Sequence, residues 1–316
     1  MLEKDKDIAT INPYLVVPNL DDAAAYYLEA FGARQAERYE DPNGKVWYAV
    51  LKVFGVPLQL MEPDLEMGLR AKDPEEDKED HFVVAIATTN PESMFKRALG
   101  AGSEQMSDFY KEGAAGHGEI RDPFGHRWIV GTRQNPKDRR TAALAPQVVV
   151  ENVADYVKFV SDVFGAKESR GPLLNRALDR RVLGDVPYTS AKIRGASLQI
   201  TAANAGRRLA AAPRDGAKGD TFMVTVAVDD VDTTFDRALA RGATAIVEPQ
   251  DAYWGDRYGE FRDLAGLRFA CCGPTTLAEE VVDPPALQKE LDNFLDIHGM
   301  PSSPAEAVNV QNVNAG

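Results

Sequence analysis

The sequence predicts an α+β fold: four βαβββ modules in two tandem domains, followed by a C-terminal helix and a flexible tail. Two observations predict it. The stretch Gly118-Glu119-Ile120-Arg121-Asp122 with Gly125-His126-Arg127-Trp128 recurs as Gly259-Glu260-Phe261-Arg262-Asp263 with Gly266-Leu267-Arg268-Phe269. The landmarks around it recur in the same order: Val16-Val17-Pro18-Asn19-Leu20 as Val149-Val150-Glu151-Asn152-Val153, Phe31-Gly32-Ala33 as Phe164-Gly165-Ala166, and Leu58-Gln59 as Leu198-Gln199. Ordered recurrence of this kind marks two homologous units. Each unit then runs twice through a strand, a helix and further strands, and that run is the module.

In the first unit residues 12–17 form a short apolar strand, and Asn19 is placed to cap the following helix. From Ala23 to Phe31 apolar residues recur at helical spacing until Gly32 stops them. Alternating strands follow at Val46–Val53 and Val56–Met61, with Gly55 at their turn. The second half repeats the order: a strand at Phe82–Ala87, a helix at Pro91–Leu99 ended by Gly100, and strands at Gly118–Arg121 and Arg127–Gly131. Between the last two, Asp122-Pro123-Phe124-Gly125 reads as a hairpin turn, since proline suits its second position and glycine supplies a positive φ. The domains are expected at 8–133 and 142–273, with a polar linker at 134–141. In 274–316, Pro285–Ile297 makes an amphipathic helix that packs on a domain, and the remainder has little to bury.

Composition excludes several classes. A net charge of −13 opposes binding to nucleic acid or to an anionic membrane, both of which need basic patches. No apolar run approaches the length of a membrane span. Cys271 and Cys272 are adjacent, point to opposite faces of a strand and cannot pair, which fits a reducing compartment. The charged start Met1-Leu2-Glu3-Lys4-Asp5-Lys6-Asp7 is not a signal core. A cytoplasmic protein is expected, and the duplication makes a monomeric pseudo-dimer the default assembly.

The chain resembles the vicinal oxygen chelate superfamily, which includes glyoxalase I, extradiol dioxygenases, fosfomycin-modifying enzymes and bleomycin-resistance proteins. It is most similar to the PhnB-like, glyoxalase/bleomycin-resistance branch. The resemblance is carried by Pro13-Tyr14-Leu15, Tyr27 to Gly32, Asp122-Pro123-Phe124-Gly125-His126-Arg127-Trp128, and Tyr253-Trp254-Gly255-Asp256-Arg257-Tyr258-Gly259. It covers roughly residues 10–272 and implies curved sheets of paired modules, each half-enclosing a cavity.

Enzymes of that superfamily hold a divalent ion with His, Glu and sometimes Gln on the first and last strands of paired modules. By the resemblance those positions fall on Asn12, Gln59, Phe82 and Ile129 in copy one, and on Ala145, Gln199, Met223 and Ala270 in copy two. None is a carboxylate or a histidine, and a one-residue slip that brings in His81 still leaves the opposite strand without its glutamate. Neutral amides alone do not hold a catalytic divalent ion against water. No metal site and no other cofactor are therefore expected.

Gln59 and Gln199 put an amide at the inward position of an apolar strand in both copies, where it must bond to a neighbouring strand or orient a ligand. By the resemblance Trp254, Arg257 and Tyr258 line a cavity mouth, the tryptophan as a wall and the arginine as a cationic fork. Tyr110 and His117 stand at the same place in copy one, and Asn12 faces inward from the first strand. His117 is the candidate for proton transfer because its ordinary pKa lies near neutrality, and Glu260 is its acid-base counterpart in copy two. His126 reads as a surface residue beside the turn, and Arg121 and Arg262 as strand-face ion-pair partners worth little. The function expected is small-molecule binding without a metal, with Trp254, Arg257 and Tyr258 marking the better cavity. The alternative is a glyoxalase-type lyase or isomerase, dependent on a metal or using His117 or Glu260.

Overall fold

The computed structural model describes residues 11–40, 45–113, 115–133, 144–169, 188–252 and 254–275. The expected linker, Tyr253 and the C-terminal helix with its tail lie outside them. The first module comprises β1 (Ile11–Val16), α1 (Leu20–Phe31), β2 (Arg34–Glu40), β3 (Val46–Val53) and β4 (Val56–Met61). The second has β5 (Phe82–Thr88), α2 (Pro91–Gly100), β6 (Glu104–Gln105), β7 (Tyr110–Glu112), β8 (Ala115–Arg121) and β9 (Arg127–Thr132). The third has β10 (Leu144–Val150), α3 (Val153–Phe164), β11 (Lys167–Ser169), β12 (Tyr188–Ile193) and β13 (Ala196–Ala202). The fourth has β14 (Phe222–Ala227), α4 (Val231–Ala240), β15 (Thr244–Asp251), β16 (Asp256–Arg262) and β17 (Arg268–Pro274).

Local chemistry sets the helix ends as expected. The Asn19 side chain accepts from the Asp22 amide, Asn152 does the same for α3, and Gly32 closes α1 at φ 66°, where a side chain would be strained. Strand β2 is not foreshadowed by the sequence pattern, because its charged and largely exposed residues form a sheet edge with no apolar alternation.

The sheets are built across the copies. The first runs β15-β16-β17-β14-β1-β4-β3-β2 and so joins module four to module one. The second runs β11-β12-β13-β10-β5-β9-β8-β6, with β7 also on β8, and joins module three to module two. The seams are antiparallel: Asn12 lies opposite Thr225 and Tyr14 opposite Met223, while Ala145 lies opposite Ala85 and Gln147 opposite Val83. This corrects the grouping of metal positions by copy, because each sheet is built from one module of each copy.

The helices cover one face of each sheet, and α1 packs on α2 and α3 on α4, tying the two sheets through one shared core. The repeated turns anchor that tie. Asp122 Oδ1 accepts the amides of Phe124 and His126, while its Oδ2 accepts Tyr27 Oη at 2.7 Å and Trp128 Nε1 at 2.8 Å. Asp263 does the same with the amides of Ala265 and Leu267 and with Tyr156. The glycine that opens the repeated motif has its own reason: a Cβ on Gly118 would stand 2.4 Å from the Phe95 ring of α2. His126 is buried rather than at the surface, its Nε2 3.0 Å from the Val16 carbonyl.

Candidate functional site

The face of each sheet turned away from the helices is crossed by a connecting loop, 62–81 over the first and 203–221 over the second. Leu69 packs there on Tyr14, Met61, Met223 and Ala270, and Leu209 on Val83, Ile129, Ala145 and Val149. Strand alternation places Asn12, Tyr14, Gln59, Met223, Tyr258, Glu260, Arg268 and Ala270 on this face of the first sheet. Likewise His117, Glu119, Arg127, Ile129, Ala145, Gln147 and Gln199 share the face of the second.

On the first sheet Gln59 Nε2 donates to Tyr48 Oη at 2.9 Å, leaving Gln59 Oε1 and Asn12 Oδ1 buried without partners. Glu260 is almost fully buried and accepts Arg268 Nε at 2.6 Å and Tyr258 Oη at 2.5 Å. Arg268 reaches the Met67 carbonyl of the loop at 2.6 Å. Trp254, half exposed, sits edge-to-face on Tyr258. Arg257 does not join them. It is one residue from Tyr258 and so faces the other way, where Asp232 of α4 binds it at 2.7 and 2.9 Å and Asp251 at 3.4 Å. The expected cationic fork is a surface ion pair.

On the second sheet Tyr188 donates to Gln199, and Nε2 of both Gln147 and Gln199 is buried without a partner. Glu119 is held by two guanidinium groups, Arg127 from the facing strand and Arg207 from the loop. His117 sits beside them, 5.6 Å from the Tyr110 ring, with Nδ1 buried and unpartnered. A cavity of about 520 Å³ opens here, lined by Met106, Tyr110, His117, Glu119, Arg127 and Arg207. Residues 104–108 and Tyr110, where the edge of the sheet is broken between β6 and β7, line it; in the other sheet the matching edge is the single strand β15. The structure thus brings Tyr110 and His117 to the open cavity, while Gln59, Asn12, Trp254 and Tyr258 belong to the other sheet.

Burial pushes the His117 imidazole down to about 4; the Glu119 charge opposes the shift and the Arg207 charge adds to it. Burial also lowers His126. Both are neutral in the folded protein, whereas the unfolded chain takes up their protons below about pH 6.5. Stability is then full above about pH 6.5 and is lost as pH falls toward 4. In urea titrations across that window, His117→Asn should remove about 1–2 kcal/mol of the loss, His126 keeping its share.

Each sheet also carries an ion pair worth more than a strand-face pairing. Arg121 grips Asp80 with both nitrogens at 3.0 and 2.9 Å, and Asp80 also takes Lys72 at 2.6 Å and Arg127 at 3.4 Å. Arg262 grips Asp220 at 2.8 and 2.8 Å. These pairs fasten the ends of the crossing loops, so they hold the covers in place. Sequence reasoning missed Arg127, Arg207, Asp80 and Arg268 as site residues; the Glu119/Arg127 and Glu260/Arg268 pairs recur at equal spacing across the repeated hairpin and were the available signal.

The donor set does not fit a catalytic divalent ion. Glu119 and Glu260, the buried carboxylates on the strands of the loop-covered faces, are occupied by guanidinium groups, and Phe82 points away from that face to stack on Phe222 at 4.3 Å. Among the described residues no group of three His, Cys, Asp or Glu side chains is placed to hold a metal.

Fold and site together define a two-sheet α+β protein with a covered, polar-lined face on each sheet and helices between them. The chain belongs to the glyoxalase/bleomycin resistance protein/dioxygenase superfamily, whose family model matches residues 8–130 and again 142–270. Glyoxalase I of Zea mays shares the fold, with a TM-score of 0.58 and 14% identity over 83% of this chain and 91% of that one. A putative dioxygenase of Bacillus subtilis gives a TM-score of 0.51 and 11% identity, covering 93% and 97%. An uncharacterized protein of Mycobacterium bovis is 28% identical over 141 residues, 43% of this chain and 93% of that protein.

Proposed function

We propose that the chain is a metal-independent small-molecule-binding protein of the bleomycin-resistance or PhnB-like kind, working in the cytoplasm as a monomer without nucleic-acid or membrane partners. The observation that carries this reading is the state of Glu119 and Glu260. Each is buried, each is bound by arginine, and neither offers a lone pair to a metal at low cost. Around them lie buried amides and an imidazole with unpartnered polar atoms, the pattern of a cavity that orients a ligand through a few hydrogen bonds. The net charge of −13 and the want of a helix long and apolar enough to cross a membrane among the described residues support the choice of partner.

Calorimetric titration with Ni²⁺, Zn²⁺, Mn²⁺ and Fe²⁺ tests it: heats of dilution are expected, and one tight site per cavity overturns it. A metabolite panel read by thermal unfolding should contain stabilising compounds, since a ligand at a hundred times its Kd adds about 2.7 kcal/mol to the native state.

One observation favours a second reading, a lyase or isomerase. His117 lines the cavity, is neutral at physiological pH and has no hydrogen-bond partner at Nδ1, so it is available for proton transfer. Turnover of a panel compound that His117→Ala abolishes would establish that reading over the first.

A further inference from the structure

We infer that the cavity over the second sheet takes an anionic small molecule, its charged end seated between Arg207 Nη1 and His117 Nδ1. The inference rests on the binding reading above and names the chemical class of that ligand.

The two sheets carry equivalent charge networks with unequal balance. On the first, Arg262 and Arg268 meet Asp220 and Glu260, two cations with two carboxylates. On the second, Arg121, Arg127, Lys72 and Arg207 meet only Asp80 and Glu119. Glu104 approaches Arg121 no closer than 3.9 Å and is itself largely exposed, so it compensates little. Asp122 and Asp77 answer Arg121 and Lys72 from farther off, but Arg207 has only Glu119, which it shares with Arg127, and a buried cation so placed is costly unless an anion answers it.

Comparison of the copies locates the imbalance. The inner arginines each donate Nη1 to a loop carbonyl, Arg268 to Met67 and Arg127 to Arg207. Arg207 thus stands where the first sheet has a thioether, and His117 where the first has Tyr258. Met67 and Tyr258 are satisfied in place, by the apolar cluster under Leu69 and by Glu260. Arg207 and His117 are not, and each leaves a buried nitrogen without a partner at the cavity that Tyr110 and Met106 wall on the other side. Desolvation lowers the Arg207 pKa despite Glu119, the response of a cation short of counter-charge. A carboxylate, phosphonate or phosphate fits the guanidinium edge and accepts from the imidazole N–H, while an apolar body fits the remaining volume.

The test compares benzoate and phenylphosphonate with the neutral benzamide and benzyl alcohol, by calorimetry and thermal unfolding of the full chain. The anions are expected to bind and stabilise, the neutral compounds to bind at least about tenfold more weakly. Arg207→Met, which installs the first sheet's residue, should erase the preference, and circular dichroism checks that the variant is folded. Should it not fold, the wild-type ratio of anion to neutral affinity decides. Equal affinity for the two kinds, anion binding unchanged in Arg207→Met, or no anion binding at millimolar concentration overturns the inference. The readings fail separately: tight metal binding overturns the metal-free function alone, and a neutral ligand bound in this cavity in preference to the anions overturns the anion alone.

Discussion

Asp80→Ala is expected to destabilise the protein by about 3–5 kcal/mol, read as a shift of the urea midpoint. The carboxylate is fully buried and receives Lys72, Arg121 and Arg127 at once. Burial works against its ionisation, but the lysine and arginine charges outweigh it, and its pKa is held below the usual carboxylate range. Removing it takes the counter-charge from Lys72 and Arg121 and leaves Arg127 with Glu119 alone; Lys72 and Arg127 are themselves nearly inaccessible. The equivalent Asp220 is more exposed and binds two arginines and no lysine, so Asp220→Ala should cost less. Because Asp80 is depressed, its contribution is present above the unfolded carboxylate pKa near 3.9 and is lost as pH falls through the lower folded value. The wild-type advantage over Asp80→Ala should therefore shrink in strong acid. An Asp80→Ala variant as stable as wild type at pH 7 would show that the clamp is not a stabilising one.

Arg268→Met should produce a loss of similar size, about 3–5 kcal/mol, because it leaves Glu260 charged and buried with only Tyr258 to answer it. It also frees the Met67 carbonyl and so loosens the loop over the first sheet. Glu260→Gln combined with Arg268→Met should recover much of the loss, since an uncharged pair carries no charge-burial penalty. If the double variant is no better than Arg268→Met, the arginine matters through the loop carbonyl and not through the carboxylate. The same double-mutant cycle on Glu119 and Arg127 should show weaker coupling, because Arg207 remains to hold Glu119.

Most of the scaffold was legible where one residue decides a local conformation. Asn19, Gly32 and the Asp122 turn act through their own backbones, and the structure finds them doing so. Strand alternation likewise put Gln59, Gln199, Tyr258 and Glu260 on a shared kind of face, and it should have warned that Arg257 could not join Tyr258. The edge strands β2, β6 and β7 escaped because a sheet edge needs no apolar repeat. The seam between β1 and β14 escaped for another reason: its register depends on residues more than half the chain apart, and nothing local records it. Asp80, Asp220 and Arg207 lie on loops whose path from one sheet to the other gives them their meaning. In sequence they are charged residues among many.

The cross-copy seams also bear on how the two loop-covered faces can change. Two identical half-length chains could in principle build the same pair of sheets, but every substitution would then be entered on both sheets together. Linked in one chain, the halves are free to differ, and Met67 against Arg207 or Tyr258 against His117 is that freedom in use. The cost is mutual dependence. Each sheet draws its strands from both halves, so a deletion in either copy damages both sheets, and neither half carries a complete one.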